Sequence, residues 1–338
     1  MIIVVDAMGG DRAPALVVEG VQEALFLSTI EKIILVGDQK LIEKELATRG
    51  GDFSAISIIH TSEKIEMGES PAVACRKKRN SSIMVAMQQI KEGKADALIS
   101  AGNTGAIMTA ASFLLGRVGA IDRPAIATIF PSATGKTIWL DVGANVDCKP
   151  IHLLQFAIMG SVYAGDVLQR PNPRVGLLSV GEEKSKGNRL TSQSFHLLKQ
   201  SRLNFIGNVE GRDILNGRVD VVVCDGFVGN IALKFGEGIA EFIFSSLKNE
   251  FLNAGLIGRL GGYLTRPLFK KFQRTLDYAE YGGAPLLGVN GVCIVCHGRS
   301  SSRAIRNAIK TACEFAQRGV NTHILESLQS MSISASEK

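Results

Sequence analysis

Short apolar runs alternate with longer mixed segments along this chain. Met1-Ile-Ile-Val-Val-Asp6 reads as a strand, and further strands are predicted over 33–37 and 55–59, separated by a polar helix over 39–49. Helical spacing over 81–92, a strand over 95–99 and a small, apolar helix over 104–115 continue the pattern. The second half repeats it with strands over 174–180, 205–210, 219–224 and 289–297. Helices are predicted over 193–200, from Asn230 towards residue 249, and over 302–319. Strand–helix alternation of this kind predicts an α/β architecture with a mainly parallel sheet. Residues 1–328 make one large unit or two lobes with a cleft between them, and the serine-rich 329–338 segment is expected to be a loose tail.

One segment, 254–278, breaks the pattern. Leu256, Leu260 and Leu264 recur at four-residue spacing, and Leu268 and Phe269 restart the apolar side beside Lys270 and Lys271. Gly261, Gly262 and Pro267 argue for two short amphipathic helices rather than one straight one. Such a pair suits an anionic bilayer surface, and a packed lid or dimer contact produces the same pattern. Both readings stay open.

Four of the predicted strands run straight into glycine-rich turns. They are Val4-Val5-Asp6-Ala-Met-Gly9-Gly10-Asp11, Ser100-Ala-Gly102-Asn103-Thr104-Gly105, Leu140-Asp141-Val-Gly143-Ala-Asn145 and Asp220-Val-Val-Val-Cys-Asp225-Gly-Phe-Val-Gly229-Asn230. Open α/β folds bind ligands at such strand ends, so the repetition suggests one elaborate site. Exposed backbone N–H groups in these loops could cradle phosphate, and ordinary tight turns would look the same. The chain has neither a Walker A loop nor a full Gly-x-Gly-x-x-Gly fingerprint. Asn103 and Asn145 could donate to a ligand or satisfy their own turns.

Charge is concentrated in Gly181-Glu-Glu-Lys184-Ser-Lys186-Gly187-Asn188, directly after a strand. Lys184 or Lys186 could meet an anion there, and a helix starting in this run would put Lys184 and Asn188 on one face. Asp6, Asp11, Asp141 and Asp225 are too many carboxylates to single out a base, and no metal-ligand spacing links them. His297 could titrate or donate a hydrogen bond, or simply close a strand.

Composition narrows the class. At 338 residues, with 46% hydrophobic and 6% aromatic content, the chain supports a large, mainly aliphatic core. The net charge of +6 permits an acidic partner or an anionic surface without choosing between them. Six cysteines in no dense pattern read as free thiols in a reducing cytoplasm. The immediate N-terminal strand leaves no room for a signal peptide, and no run of about 18 apolar residues suggests a membrane span.

Taken together, the junctions resemble the PlsX phosphate acyltransferase family of bacterial phospholipid synthesis. Gly207-Asn-Val-Glu-Gly-Arg-Asp213 and Glu280-Tyr-Gly-Gly-Ala-Pro-Leu-Leu-Gly-Val-Asn-Gly291 add to the match, which runs from Met1 to about Gly319. The resemblance implies a three-layer α/β/α fold related to phosphotransacetylases and isocitrate or isopropylmalate dehydrogenases. It also implies a cytoplasmic homodimer, peripheral on the inner face of the cell membrane, that uses no cofactor and binds no nucleic acid. The implied reaction moves a long-chain fatty acyl group from acyl carrier protein to inorganic phosphate, supplying a glycerol-phosphate acyltransferase. The acidic carrier suits a basic surface.

On that reading Lys184 clamps phosphate, with Asn188 and Gly102, Asn103, Thr104 and Gly105 orienting it. Asn230 stabilises the developing oxyanion, and Asp225 orients Lys184 or handles a proton. Asp6, Gly9, Gly10, Asn145 and His297 complete the expected substrate pocket. Leu256, Leu260, Leu264, Leu268 and Phe269 are the expected membrane contacts. A coenzyme A-dependent acyltransferase, an NAD-linked dehydrogenase and a catalytically silent membrane scaffold are the competing readings.

Overall fold

The computed structural model describes residues 1–276, 280 and 282–336, without the side chains of 256, 257, 270–276 and 331–336. The chain opens with β1 (Ile2–Asp6), α1 (Ala15–Ala24), β2 (Lys32–Gly37), α2 (Gln39–Arg49) and β3 (Ile56–His60). Next come α3 (Pro71–Lys77), α4 (Ser82–Lys91), β4 (Ala97–Ser100) and α5 (Thr104–Leu114). A three-strand insertion follows, β5 (Ala125–Ile126), β6 (Thr128–Ser132) and β7 (Gly135–Leu140), and then the long α6 (Pro150–Leu168). Alternation resumes with β8 (Val175–Leu178), α7 (Arg189–Gln200), β9 (Phe205–Val209), α8 (Gly211–Asn216) and β10 (Val221–Val223). The helical hairpin α9 (Gly226–Asn253) and α10 (Gly255–Leu276) comes next. β11 (Ala284–Leu287), β12 (Val292–Val295), α11 (Ser302–Gln317) and α12 (Val320–Ser336) close the chain.

The strands form two sheets, ordered β3-β2-β1-β4-β12-β11-β5 and β6-β7-β10-β8-β9. All pairings are parallel except those of β11 with β12 and β5, and of β6 with β7. Helices cover the sheets, so central strands such as β4 and β10 are buried at every residue and need no alternation of polarity. One buried cluster runs through both sheets, from Ile3 and Leu35 to Leu140, Phe156 and Val223. α6 is apolar and long enough to cross a membrane, yet it lies in this core, with Tyr163 against Phe315 at 6.0 Å.

The sheets also place the site. β1 feeds β2 on one side, while β4 lies on its other side, so the strand order reverses between β1 and β4. Loops leaving such a reversal diverge and open a crevice.

Two local expectations change. Residues 255–276 form a single helix, α10, with Pro267 inside it, rather than two short helices. An interior proline costs about 3 kcal/mol. Packing along α9 offsets it, with Phe269 edge-on to Phe251 at 5.5 Å. The expected loose tail is helical as far as Ser336 because Ile324 and Leu328 anchor α12 in the core.

Candidate active site

The first cluster of strand ends belongs to β1, β4 and β12. Asp6, at the end of β1, is buried and accepts hydrogen bonds from the Ser100 hydroxyl at 2.7 Å and the Met8 N–H at 3.1 Å. Burial pushes its carboxyl above the ordinary value, against the opposing pull of these bonds. Gly9 lies so close to the next loop that a Cβ there would fall 2.6 Å from Gly102 N. Gly10, at φ +109°, lets the chain turn so that Asp11 N–H reaches the Gly298 carbonyl at 2.8 Å. Asp6, Gly9, Gly10, Gly102 and the loop after β12 therefore meet.

Asn103 belongs to that cluster but serves its own fold. Its Oδ1 accepts from Ala106 N–H and caps α5, while Nδ2 donates to the carbonyls of Glu66, Met67 and Glu69 at 3.0–3.2 Å. Of the two readings open in the sequence, the structure supports the turn. Thr104 begins α5, and Gly105 leaves room for Pro71, which a Cβ would approach to 2.5 Å.

The second cluster belongs to β7, β10 and β8. Asp141 accepts from the backbone N–H groups of Ile126, Gly143, Ala144 and Asn145. Asn145 Nδ2 donates to Asp141 at 2.9 Å and to the Pro124 carbonyl at 2.7 Å, so this amide too serves its turn. Asp225 is the N-cap of α9, its Oδ1 accepting from Phe227 and Val228 N–H at 3.0 and 2.9 Å. Gly229 lies directly on the Asp141 carbonyl, and Asn230 lies against Gly143.

The 181–188 loop does not form the helical turn that would align Lys184 with Asn188. Gly187 takes φ +117°, and Asn188 is the N-cap of α7, accepting from Thr191 N–H at 2.9 Å, so the helix begins only at Arg189. The loop is held by the Glu182–Arg218 ion pair and by Asn208 Nδ2 donating to the Glu183 carbonyl at 3.0 Å. Lys184 is exposed and borders Lys199, whose ammonium is held below its ordinary value by the neighbouring like charge of Lys184.

α9 links the two clusters. Asp225 and Asn230 sit at its start beside the 141–145 loop, and Glu237, about 10 Å further along the axis, faces His297. A pocket of about 1220 Å³ opens here between α9, α10 and the loop after β12. Lys234, Glu237, His297 and Arg299 line one end, and Phe244, Leu247, Phe251 and Phe269 line its length. Burial pushes the Glu237 carboxyl up, against the charges of His297 and Lys234. His297 Nδ1 accepts from Arg299 N–H at 3.1 Å.

Among the expected substrate residues only His297 lines this pocket. Phe269, expected to face lipid, turns into it and packs on Phe251. Leu260, Leu264 and Leu268 stay exposed at 60%, 68% and 70%, while the Leu256 side chain lies outside the described residues. Sequence reasoning missed Lys234 and Glu237. Asn230, Lys234, Glu237, Glu241 and Phe244 recur at spacings of four and three along one helix face, a pattern that becomes distinctive only once the pocket is seen on that face.

Five of the six cysteines are buried and all are free. Burial drives the thiols of Cys293 and Cys296 up to about 12, and that of half-buried Cys148 likewise to about 12. None of these three is a ready thiolate nucleophile at neutral pH.

The fold is the α/β/α architecture of phosphotransacetylases. A phosphotransacetylase from Streptococcus pyogenes aligns over 94% of both chains with a TM-score of 0.62 at 18% identity. The EutD phosphotransacetylase from Staphylococcus aureus gives a TM-score of 0.57 at 16% identity, again over 94% of both chains. Sequence relatives define the family more closely. A protein-family model described as "Fatty acid synthesis protein" matches residues 1–323. A phosphate acyltransferase from Geotalea daltonii is 53% identical over 97% of this chain and 94% of its own. One from Pelotomaculum thermopropionicum is 50% identical over 98% and 96%. The chain belongs to the PlsX-type phosphate acyltransferase family and is an acyl-transferring enzyme of lipid biosynthesis.

Proposed function

We propose that this enzyme transfers a long-chain fatty acyl group from acyl carrier protein to inorganic phosphate. A phosphate oxygen attacks the thioester carbon, the C–S bond breaks, and the proton lost from phosphate ends on the departing carrier thiol. The observation carrying this reading is the near-full-length identity to phosphate acyltransferases. The pocket beside the glycine loops, with Phe244, Leu247, Phe251 and Phe269 along its length, fits a fatty acyl donor.

Lys184 is the proposed phosphate clamp. It is exposed next to Lys199, where two ammonium groups in proximity favour a bound anion. Asn230, beside Gly143, is the proposed oxyanion donor, with Asp225 holding the start of α9. Asn188 orients phosphate from its cap position, and the loops of Gly9–Gly10 and Gly102–Gly105 present backbone N–H groups to it. In this reading Asp6, Asn103 and Asn145 shape the loops rather than touch substrate. His297, at the pocket mouth, faces the thioester.

The product, an acyl phosphate, would feed a glycerol-phosphate acyltransferase at the inner face of the cell membrane. The exposed row Leu260, Leu264 and Leu268, flanked by Arg259 and Arg266, suits an anionic bilayer. A separate row on α9, Phe227, Ile231, Phe235, Ile239 and Phe242, is exposed and apolar, and suits the expected homodimer contact.

The deciding experiment is acyl phosphate formation from purified acyl-carrier thioester and phosphate. Turnover with acyl-coenzyme A alone would reassign the donor, and a kinetically competent acyl-enzyme trapped without phosphate would overturn direct attack. Lys184→Ala is expected to lose about 100-fold in turnover or in phosphate dependence while keeping its fold. Near-normal phosphate kinetics would remove Lys184 from the mechanism.

A further inference from the structure

The faces of α9 divide its residues cleanly. Lys234, Glu237, Glu241, Phe244, Lys248 and Phe251 line the pocket at spacings of three and four, whereas the row containing Phe235 and Phe242 points elsewhere. The pocket is thus a long groove between two helices of the same chain, open to the surface at Leu247, Leu252 and Tyr263 and separate from the α9 row of Phe235 and Phe242. Its walls carry Phe244, Leu247, Phe251, Leu252 and Phe269, interspersed with the charged Glu241, Lys248, Arg259 and Arg266. The end formed by Lys234, Glu237, His297 and Arg299 is mainly cationic. That end abuts the glycine loops, because Gly298, between His297 and Arg299, accepts from Asp11 N–H at 2.8 Å. A run of phenylalanine and leucine side chains leading from a mainly cationic mouth matches a ligand with a hydrocarbon tail and a head that becomes anionic, the charged side chains between them reaching their heads to water along the open side.

We infer that the groove between α9 and α10 holds the acyl chain lengthwise, head at Lys234 and His297, and that the wall positions Ala240 and Ser245 limit the chain length accepted. This inference rests on the proposed acyl transfer and adds where the chain lies and what measures it. The scale agrees. A bilayer core two chains deep is about 30 Å thick, so one long chain spans about 15 Å. Ala240 lies about 9 Å beyond Lys234 along α9, and Ser245 about 16 Å. Both line the groove. Ala240 marks the middle of a long chain and Ser245 its end.

Bulk introduced at these positions is expected to cut the accepted length at two different points. The probes are acyl carrier proteins loaded with chains of 4, 8, 12 and 16 carbons, and the readout is kcat/KM for acyl phosphate formation. For Ala240→Phe the ratio of 16-carbon to 4-carbon kcat/KM should fall more than tenfold, since each methylene left in water is worth about fourfold. For Ser245→Phe the break should move outward, to between 12 and 16 carbons. Equal losses at every length, or an unchanged ratio in both variants, would overturn the groove assignment. A second measurement uses the unaltered enzyme and a 16-carbon thioester carrying a diazirine at its terminal carbons. Photolabelled peptides from α9 and α10 support the inference, and labels confined to other elements overturn it. Failure of the proposed function itself looks different, because the unaltered enzyme would then form no acyl phosphate at any chain length.

Discussion

The sheet body and the α9–α10 hairpin use glycine and apolar side chains in opposite ways. In the body, glycines let backbones meet: a Cβ at Gly9 would press on Gly102, and one at Gly229 would overlap the Asp141 carbonyl. In the hairpin, Gly262 faces the Phe251 side chain rather than another backbone, and Gly261 has nothing within 4 Å of where its Cβ would be. The body hides most of its apolar side chains and exposes others singly, such as Phe26 and Val180, while the hairpin exposes them in rows, with Phe235 at 70% on α9 and a leucine row on α10. Close-packed glycines thus mark where the loops are fixed, and exposed apolar rows mark where this chain meets something else.

The contrast is easiest to break at Gly229. Gly229→Ala must push α9 off the 141–145 loop, costing on the order of 4 kcal/mol and lowering Tm by about 10 °C. An unchanged melting curve would show that the junction is not tightly packed. Next in size, Leu260→Glu should weaken binding to anionic vesicles about tenfold or more, the worth of one buried leucine. Unaltered vesicle binding would turn the α10 row into a protein contact.

A smaller effect comes from Asp6. Burial raises its folded pKa, so between the unfolded and folded values the native state holds more protons and the protein loses stability as pH rises. Asp6→Asn removes that dependence, so its stability relative to the parent should improve as pH rises above the ordinary carboxylate range in thermal melts. A difference that stays flat with pH would contradict the raised value. Smallest of all, Gly261→Ala should stabilise the hairpin by about 0.5–1 kcal/mol, a slight rise in Tm. A marked loss would mean that α10 is packed more tightly there than its open surroundings allow.

Much of the fold was legible because strands buried on both faces are unbroken apolar runs, as in Val221–Val223, and end at glycine. β5 and β6 were not, since β5 has two residues and β6 carries Pro131 on a half-buried edge. Pro267 misled for a physical reason, because local propensity was outweighed by packing against Phe251. The junctions were legible as a site, but side-chain roles were less so. Asn103 and Asn145 have residue types suited to either a ligand or a turn, and only their geometry distinguishes the two. The groove face of α9 escaped because the helix is apolar on more than one side, so periodicity alone does not single out the row containing Lys234 and Glu237.

α9 also acts as a yardstick. Its 28 residues extend about 42 Å from the Asp225 cap to the turn at Ala254 without interruption. Probes attached near Asn230 and Asn253 should therefore report a nearly constant separation whatever the hairpin tip rests on. Any surface touching that tip is held a fixed stand-off from the strand ends, about the full thickness of a bilayer with its headgroups.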